Sequence, residues 1–213
     1  MKAVVTSLVI LLLLFLCWGV LHAEWVLDGV PICPSDGDQS YGYIASDDAG
    51  GVIITWPEIR YDPTYRDIFI QRIDYAGNLL WNTDGVPLCT APEIQMDPYI
   101  IPDGSGGAVI AWRDYRNGDY DIYAQRIDAD GNVLWTPDGV AVSVAQFGQY
   151  DPRMVSDGAG GFYICWWDGR TTNRQVRCNR LNSDGTLAWG PDGIVVRDTP
   201  WRQESHGIIS DGA

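Results

Sequence analysis

A short phrase, Trp-x-x-Asp-Gly followed by Val or Ile, recurs along the chain and constrains its fold more than any other feature. It begins at Trp25, Trp81, Trp135 and Trp189, so the spacings are 56, 54 and 54 residues. A fixed period of this length is typical of repeat architectures, in which each period is one supersecondary unit. Three further sets recur in register: glycine pairs at 50–51, 106–107 and 160–161; Trp56, Trp112 and Trp166; and Arg60, Arg116 and Arg170.

Within one period, apolar runs of strand length alternate with turn signals. The second repeat contains "AVIAW" and "IYAQRID", separated by polar residues, and no segment shows a sustained helical period. The run Ala108–Trp112 is apolar at successive positions, so both faces of its sheet are expected to be covered. Stacked four-stranded antiparallel meanders describe β-propeller blades. A β-sandwich is the alternative, but it gives no reason for so regular a repeat.

The predicted fold is therefore an all-β propeller with about three blades and the start of a fourth, forming an open arc. The phase of the repeat gives blades at about 25–80, 81–134 and 135–188, and a partial one at 189–213. The final "ISDGA" aligns with "VSDGA" at Val155–Ala159, inside a blade. Propellers close with roughly four to eight blades, so we expect an N-terminal fragment of a longer protein whose remaining blades complete the ring.

Residues 1–23 have the pattern of a secretory signal peptide. Lys2 precedes an unbroken apolar stretch from Leu8 to Leu21, and the segment ends in Ala23. That stretch, as a helix, spans about 21 Å, short of the ~30 Å hydrocarbon core of a membrane. The sequence predicts cleavage after Ala23 and a secreted, periplasmic or cell-surface protein, with an uncleaved anchor as the alternative.

Composition excludes several classes of chemistry. The chain has 28 acidic and 14 basic side chains, its single lysine is Lys2, and its histidines are His22 and His206. After cleavage, no lysine remains for a Schiff base, and one histidine argues against a Ser-His-Asp triad or a histidine-rich metal site. A net charge of −14 also disfavours nucleic acid and anionic lipid as partners, because both require many cations facing phosphate.

The segments "QMDPYIIPDGSGG" and "AWRDYRNGDYDIYAQRID" resemble the Trp-x-Asp-x-Arg-Asn-Gly…Asp-Ile-Tyr repeats of secreted and surface-layer β-propellers. They are similar, more loosely, to the propeller of the bacterial Tol translocation system. The resemblance covers Trp25 to Ala213 and implies a propeller fold in an exported protein. The third repeat departs from the pattern, because "VRCNRLN" replaces "IYAQRID" and Gln175 stands where Asp67 and Asp121 stand in the others.

Most repeated residues have structural interpretations. Trp56, Trp112 and Trp166 are predicted to pack between blades rather than stack on sugars, because they recur at fixed strand positions. Each repeated arginine is predicted to bridge two side chains across a hairpin: Arg60 between Glu58 and Asp67, Arg116 between Asp114 and Asp121, and Arg170 between Asp168 and Gln175. Trp167 and Trp201 lie outside the repeat and are candidates for exposed ligand contacts.

Asp97 and Asp151 form the candidate catalytic pair. Each precedes a proline where the chain enters the first strand of a blade, and the innermost strands of a propeller line its channel. Two carboxylates on adjacent blades suit the acid and base of glycoside hydrolysis. The alternative is an Asp-Pro turn entering a strand. That alternative is favoured, because Tyr41 and Ser205 occupy the matching positions in the other repeats.

Cys165 and Cys178 are predicted to form a disulfide across adjacent strands. If Asp168 faces Gln175, antiparallel counting places the two cysteines directly opposite each other, within reach of a bridge. Two buried thiols are the alternative. Cys33 and Cys89 occupy equivalent positions on neighbouring blades, too far apart to bond.

No cofactor is expected. "DADGN" at Asp128 to Asn132 resembles the start of a calcium loop, but no glutamate closes it, so a hairpin turn is favoured. The preferred function is an exported, non-catalytic propeller whose surface binds a glycan or a protein. The alternative is a carbohydrate-active propeller that uses Asp97 or Asp151, with exposed aromatics such as Trp201 holding sugars.

Overall fold

The computed structural model describes residues 29–191, 193–196 and 206–211. The signal segment, Trp25, Trp201 and Ser205 lie outside them. The chain divides into a unit of Met1–Val30 and a unit of Pro31–Ala213, and the contacts given below belong to the second unit. The strands are β1 (Asp38–Gln39), β2 (Tyr43–Ser46), β3 (Val52–Ile59), β4 (Asp67–Ile73), β5 (Val86–Cys89), β6 (Gln95–Pro102), β7 (Ala108–Asp114), β8 (Asp121–Ile127), β9 (Val140–Ser143), β10 (Gln149–Ser156), β11 (Phe162–Asp168), β12 (Gln175–Leu181) and β13 (Ile194–Val195). No helix occurs in the described ranges, and so none there can cross a membrane.

The strands form three successive antiparallel sheets, which confirms the all-β propeller. The first blade has the order β2-β3-β4-β5, with the short β1 also pairing with β3. The second blade is β6-β7-β8-β9 and the third is β10-β11-β12-β13. Neighbouring strands in each blade follow one another in the chain, as in a meander.

The fourth strand of each blade follows the repeated phrase rather than preceding it. In the first blade, β5 lies after the Trp81 phrase and pairs with β4. The boundaries set by repeat phase therefore cut each sheet before its last strand. Likewise β13, after Trp189, pairs with β12 and completes the third blade instead of beginning a fourth. The Trp81 phrase lies in the connection between the third and fourth strands, β4 and β5. A period counted from the phrase therefore begins one strand before the blade ends.

Apolar residues on both faces of the second strands form the core. Residues Ala108–Trp112 of β7 are fully buried, as the run of apolar residues predicts. One cluster joins Ile53 of the first blade to Ile110 and Trp112 of the second, and another joins Val109 of the second to Ile164 of the third. Consecutive blades therefore pack face to face.

The tryptophan of the repeated phrase joins one blade to the next. The indole Nε1 of Trp81 donates to the carbonyl oxygen of Ala129, 3.2 Å away, in the following blade. Trp135 donates in the same way to Ser183, at 3.0 Å. A Cβ on Gly185 would come within 2.8 Å of the Trp135 ring, so glycine is required for the ring to lie flat on that turn. Trp135 is 7% exposed.

Candidate functional site

The first strand of the second and third blades bulges at the Asp-Pro pair. Pairing shifts between Met96 and Tyr99 in β6, and between Tyr150 and Arg153 in β10. Asp97 and Asp151 have φ angles of 51° and 55°, in the left-handed region. These aspartates therefore lie inside a strand, at a β-bulge, rather than at a turn that enters it. Bulges redirect side chains, and the proline that follows has no N–H to leave unpaired.

Each of these two aspartates pairs with an arginine of its own blade. The Nε of Arg113 lies 2.7 Å from an oxygen of Asp97, and Arg153 lies 2.6 Å from Asp151. A carboxylate engaged by a guanidinium is not free to act on a substrate, whereas glycoside hydrolysis needs two carboxyl groups that reach the scissile bond. The ion pairs therefore argue against Asp97 and Asp151 as an acid and base pair.

The single histidine of the described ranges lies beside the second of these pairs. Nδ1 of His206 is 3.9 Å from Asp151, and Nε2 is 3.3 Å from the carbonyl oxygen of Cys165. Burial lowers the pKa of His206, and the Asp151 carboxylate only partly opposes this. The imidazole is therefore neutral at pH 7, and it lies against one side of the Asp151 carboxylate.

Four aromatic rings, two from the β7–β8 hairpin and one each from β10 and β11, lie across the second and third blades. We call Tyr115, Tyr120, Tyr150 and Trp167 the aromatic row. The ring centroids of Tyr115 and Tyr120 are 5.0 Å apart, and those of Tyr120 and Tyr150 are 5.7 Å apart. Tyr150 pairs directly with Trp167 across β10 and β11. All four side chains are half-buried.

Two guanidinium groups lie on the aromatic row. Arg113 lies 4.5 Å from the ring centroid of Tyr120 and 6.0 Å from that of Tyr150. Arg174 lies 5.8 Å from the ring centroids of both Tyr150 and Trp167. Cations at such distances are attracted to aromatic faces, so they hold the rings in place. The sequence singled out Trp167 alone, because Tyr115 and Tyr120 of one hairpin meet Tyr150 of the next blade only through tertiary packing.

Two clefts share Asp119, and Tyr150 of the aromatic row lines the second of them. The first has a volume of about 560 Å³, and its lining includes Asn117, Asp119, Asp121 and Val144. The second has a volume of about 530 Å³, and its lining includes Asp119, Tyr150, Thr171, Thr172 and Arg174. Asp119 lines both clefts. The clefts lie on the hairpins between second and third strands and on the link between the two blades, so this face combines rings, hydroxyl groups and charges.

Arg60 and Arg116 each bind the carboxylate two residues earlier and not the aspartate across the hairpin, which corrects those two predicted bridges. In the second blade, Arg116 Nε donates to Asp114 at 2.9 Å, and its NH2 donates to the carbonyl oxygen of Asp138 at 2.9 Å. Trp112 Nε1 also donates to Asp114, at 2.9 Å. The same set recurs as Trp56, Glu58 and Arg60, and as Trp166, Asp168 and Arg170. Arg60 and Arg116 therefore join the second strands of their blades to the turns of the repeated phrase.

Asp67 and Asp121 make no hydrogen bond to Arg60 or Arg116, all four of which lie in the described ranges. Burial raises the pKa of both carboxyl groups to about 6. Asn117 Nδ2 donates to Asp121 at 2.6 Å, which partly opposes the effect of burial. The third blade has the neutral Gln175 at this position, which agrees with burial that disfavours an ionised side chain there.

Cys165 lies directly opposite Cys178, in the register predicted from the sequence, and the two are joined in a disulfide with a Cα–Cα distance of 4.0 Å. Cys33 and Cys89 are buried free thiols. Burial raises the pKa of Cys89, so it stays protonated beside Asp114.

The "DADGN" segment forms a hairpin turn. The carboxylate of Asp128 accepts the backbone N–H groups of Asp130 at 3.0 Å and Asn132 at 2.8 Å. In the part of the chain that the structure describes, no three His, Cys, Asp or Glu side chains lie close enough to hold a metal ion.

No protein-family model and no curated protein sequence matches this chain. Among solved structures, the chain is similar to a thermostable family-43 glycoside hydrolase, with 14% identity and a TM-score of 0.47, over 78% of this chain and 57% of that one. An endo-arabinase from Bacteroides thetaiotaomicron has 14% identity and a TM-score of 0.44, over 76% and 61%. An endo-1,4-beta-xylanase from the same organism has 10% identity and a TM-score of 0.42, over 79% and 55%. The chain thus spans less than two thirds of each.

Proposed function

We propose that this chain forms blades of an exported, non-catalytic β-propeller and binds a glycan on the aromatic row. The observation that carries the proposal is the aromatic row, which extends across two blades and contributes Tyr150 to the lining of the second cleft. The apolar C–H faces of sugar rings pack on aromatic faces, and their hydroxyl groups need nearby donors and acceptors.

The chemistry around the rings suits such a ligand. Tyrosine and tryptophan supply large contact areas with few rotatable bonds, so little conformational entropy is lost on binding. Asp119, Thr171 and Thr172 line the cleft beside Tyr150 and offer hydroxyl and carboxylate oxygens. Binding sites commonly combine apolar walls with a few polar groups of this kind.

The absence of catalysis is inferred from the two aspartates of the bulges. Asp97 and Asp151 face arginines of their own blades at 2.7 and 2.6 Å. Their recurrence in successive blades, with the same arginine partner type, is better explained by a structural role at the bulge than by an acid and base pair.

Binding to a panel of polysaccharides tests the proposal. We expect Tyr150→Ala and Trp167→Ala each to weaken binding about tenfold, which corresponds to about 1.4 kcal/mol for the loss of one stacking surface. Tyr75→Ala is the matched control, because Tyr75 is 67% exposed in a turn of the first blade, away from the row. Equal affinity in the wild type and both row variants would refute the proposal.

A second candidate is a glycoside hydrolase, and one observation favours it. Asp121 is buried, has its pKa raised to about 6, and lines the first cleft beside Asp119. A carboxyl group that keeps its proton close to neutral pH has the character of a general acid. Hydrolysis of any panel member that is abolished by Asp97→Asn, Asp151→Asn or Asp121→Asn would establish this function in place of the first.

A further inference from the structure

Arg174 differs from nine other arginines of the described ranges in what surrounds it. Nine arginines of the described ranges have a carboxylate within 3.1 Å: Arg60, Arg66, Arg72, Arg113, Arg116, Arg126, Arg153, Arg170 and Arg180. The Arg174 guanidinium has no carboxylate partner in the described part of the chain. Its contacts there are the rings of Tyr150 and Trp167, both 5.8 Å away. Cation–π contacts position the group without using its five N–H donors.

The backbone also fixes Arg174 in place. It ends the hairpin between β11 and β12 with a φ of 44°, in the left-handed region, and its N–H donates to Thr171 O at 3.2 Å. A left-handed non-glycine residue costs free energy and is often found at binding sites. The guanidinium is thus held on two rings at the edge of the second cleft, with its donors available.

The cleft supplies further donors for an anion. Its lining includes the hydroxyl-bearing Tyr150, Thr171 and Thr172 beside Arg174. A planar guanidinium matches a carboxylate through two parallel hydrogen bonds, and hydroxyl groups can complete the shell around the oxygens.

The charge of the surroundings limits the ligand to few negative groups. The chain carries a net charge of −14, and Asp119 lines the same cleft. A densely charged polyanion would be repelled by this field, whereas one carboxylate among neutral groups gains the Arg174 contact and little repulsion. A sugar ring that bears one carboxylate fits both the charge and the neighbouring aromatic faces.

We propose that Arg174 binds the carboxylate of a uronic acid residue in the glycan held on the aromatic row. This inference rests on the proposed glycan-binding function and adds the class of sugar. Tyr150 and Trp167 then contact the ring, and the guanidinium contacts its carboxylate.

The test compares an oligosaccharide that carries a single glucuronate with its methyl ester, using calorimetry on the whole chain. We expect the wild type to bind the acid about tenfold more tightly than the ester. Arg174→Gln should lower the ratio of acid affinity to ester affinity from about tenfold to about one. Raising the salt concentration should weaken binding of the acid alone. Arg66→Gln is the control, because Arg66 pairs with an exposed Asp38 on the first blade.

The outcomes separate this inference from the proposed function. Equal, row-dependent binding of acid and ester would overturn the uronic acid assignment and leave the glycan-binding face standing. Binding of neither would overturn both. Arg174-dependent binding of an acidic peptide as tight as that of the glucuronate would overturn the choice of a sugar. An unchanged melting temperature in Arg174→Gln shows that any loss comes from the contact and not from unfolding.

Discussion

Replacing Asp121 by Asn should stabilise the protein at neutral pH and have little effect in acid. The Asp121 carboxyl is 1% exposed, and burial raises its pKa from 3.8 to about 6. Ionising it in the folded state therefore costs up to about 3 kcal/mol, because each tenfold change in proton affinity corresponds to about 1.4 kcal/mol. We halve this to about 1.5 kcal/mol, because the adjoining cleft is open to water.

The sign follows from the proton balance. A carboxyl whose pKa is raised by folding holds its proton more tightly when folded, so its favourable contribution is complete below about pH 3.8 and is lost as the pH rises through about 6. Asparagine stays neutral and still accepts the hydrogen bond from Asn117, so Asp121→Asn removes this loss.

Urea unfolding of wild type and Asp121→Asn between pH 4 and pH 8 measures the difference directly. We expect no gain near pH 4 and a gain that rises to about 1.5 kcal/mol above pH 7. Asp67→Asn, at the equivalent position of the first blade, should show the same rise in stability with pH. Asp130→Asn, at an exposed position, should show no pH-dependent gain. A gain independent of pH, or a loss at pH 7.5, would refute the reasoning.

Three further predictions concern the repeat. Gly139→Ala should lower the free energy of unfolding, measured by thermal unfolding, by about 2–4 kcal/mol, because its φ is 91° and a Cβ would lie 2.5 Å from the buried indole of Trp112. Gly118→Ala, also left-handed but in open space, should cost less, and equal costs would contradict the clash. Non-reducing mass spectrometry should find Cys165 linked to Cys178, and replacing both by serine should lower the free energy of unfolding by about 3 kcal/mol; free thiols in the oxidised protein would reject the bridge. Trp135→Phe should cost about 1 kcal/mol in urea unfolding, because it removes the 3.0 Å bond to the Ser183 carbonyl of the next blade and leaves that oxygen the longer 3.4 Å bond from Arg126; an unchanged midpoint would show that the indole bond does not join the blades.

The fold and its internal register follow from local patterns in the sequence. Four recurrences of the Trp-x-x-Asp-Gly phrase, with apolar strand-length runs between them, require a stack of equal antiparallel units. Within one hairpin, antiparallel pairing fixes partners by counting, so Cys165 opposite Cys178 needs no knowledge of the rest of the chain. The phase of the repeat gives the period but does not show which strand pairs with which, so the observed pairing was needed to place β5 in the first blade.

Only the tertiary structure decided the partners that lie across elements. The sequence suggested Arg116 as a bridge to Asp121, but the guanidinium binds Asp114 and the turn at Asp138, and burial leaves Asp121 with a raised pKa. The aromatic row likewise joins Tyr120 of one blade to Tyr150 of the next. Such contacts depend on the rotation of one blade against another. That rotation is set by how the buried faces pack, and no spacing along the chain encodes it.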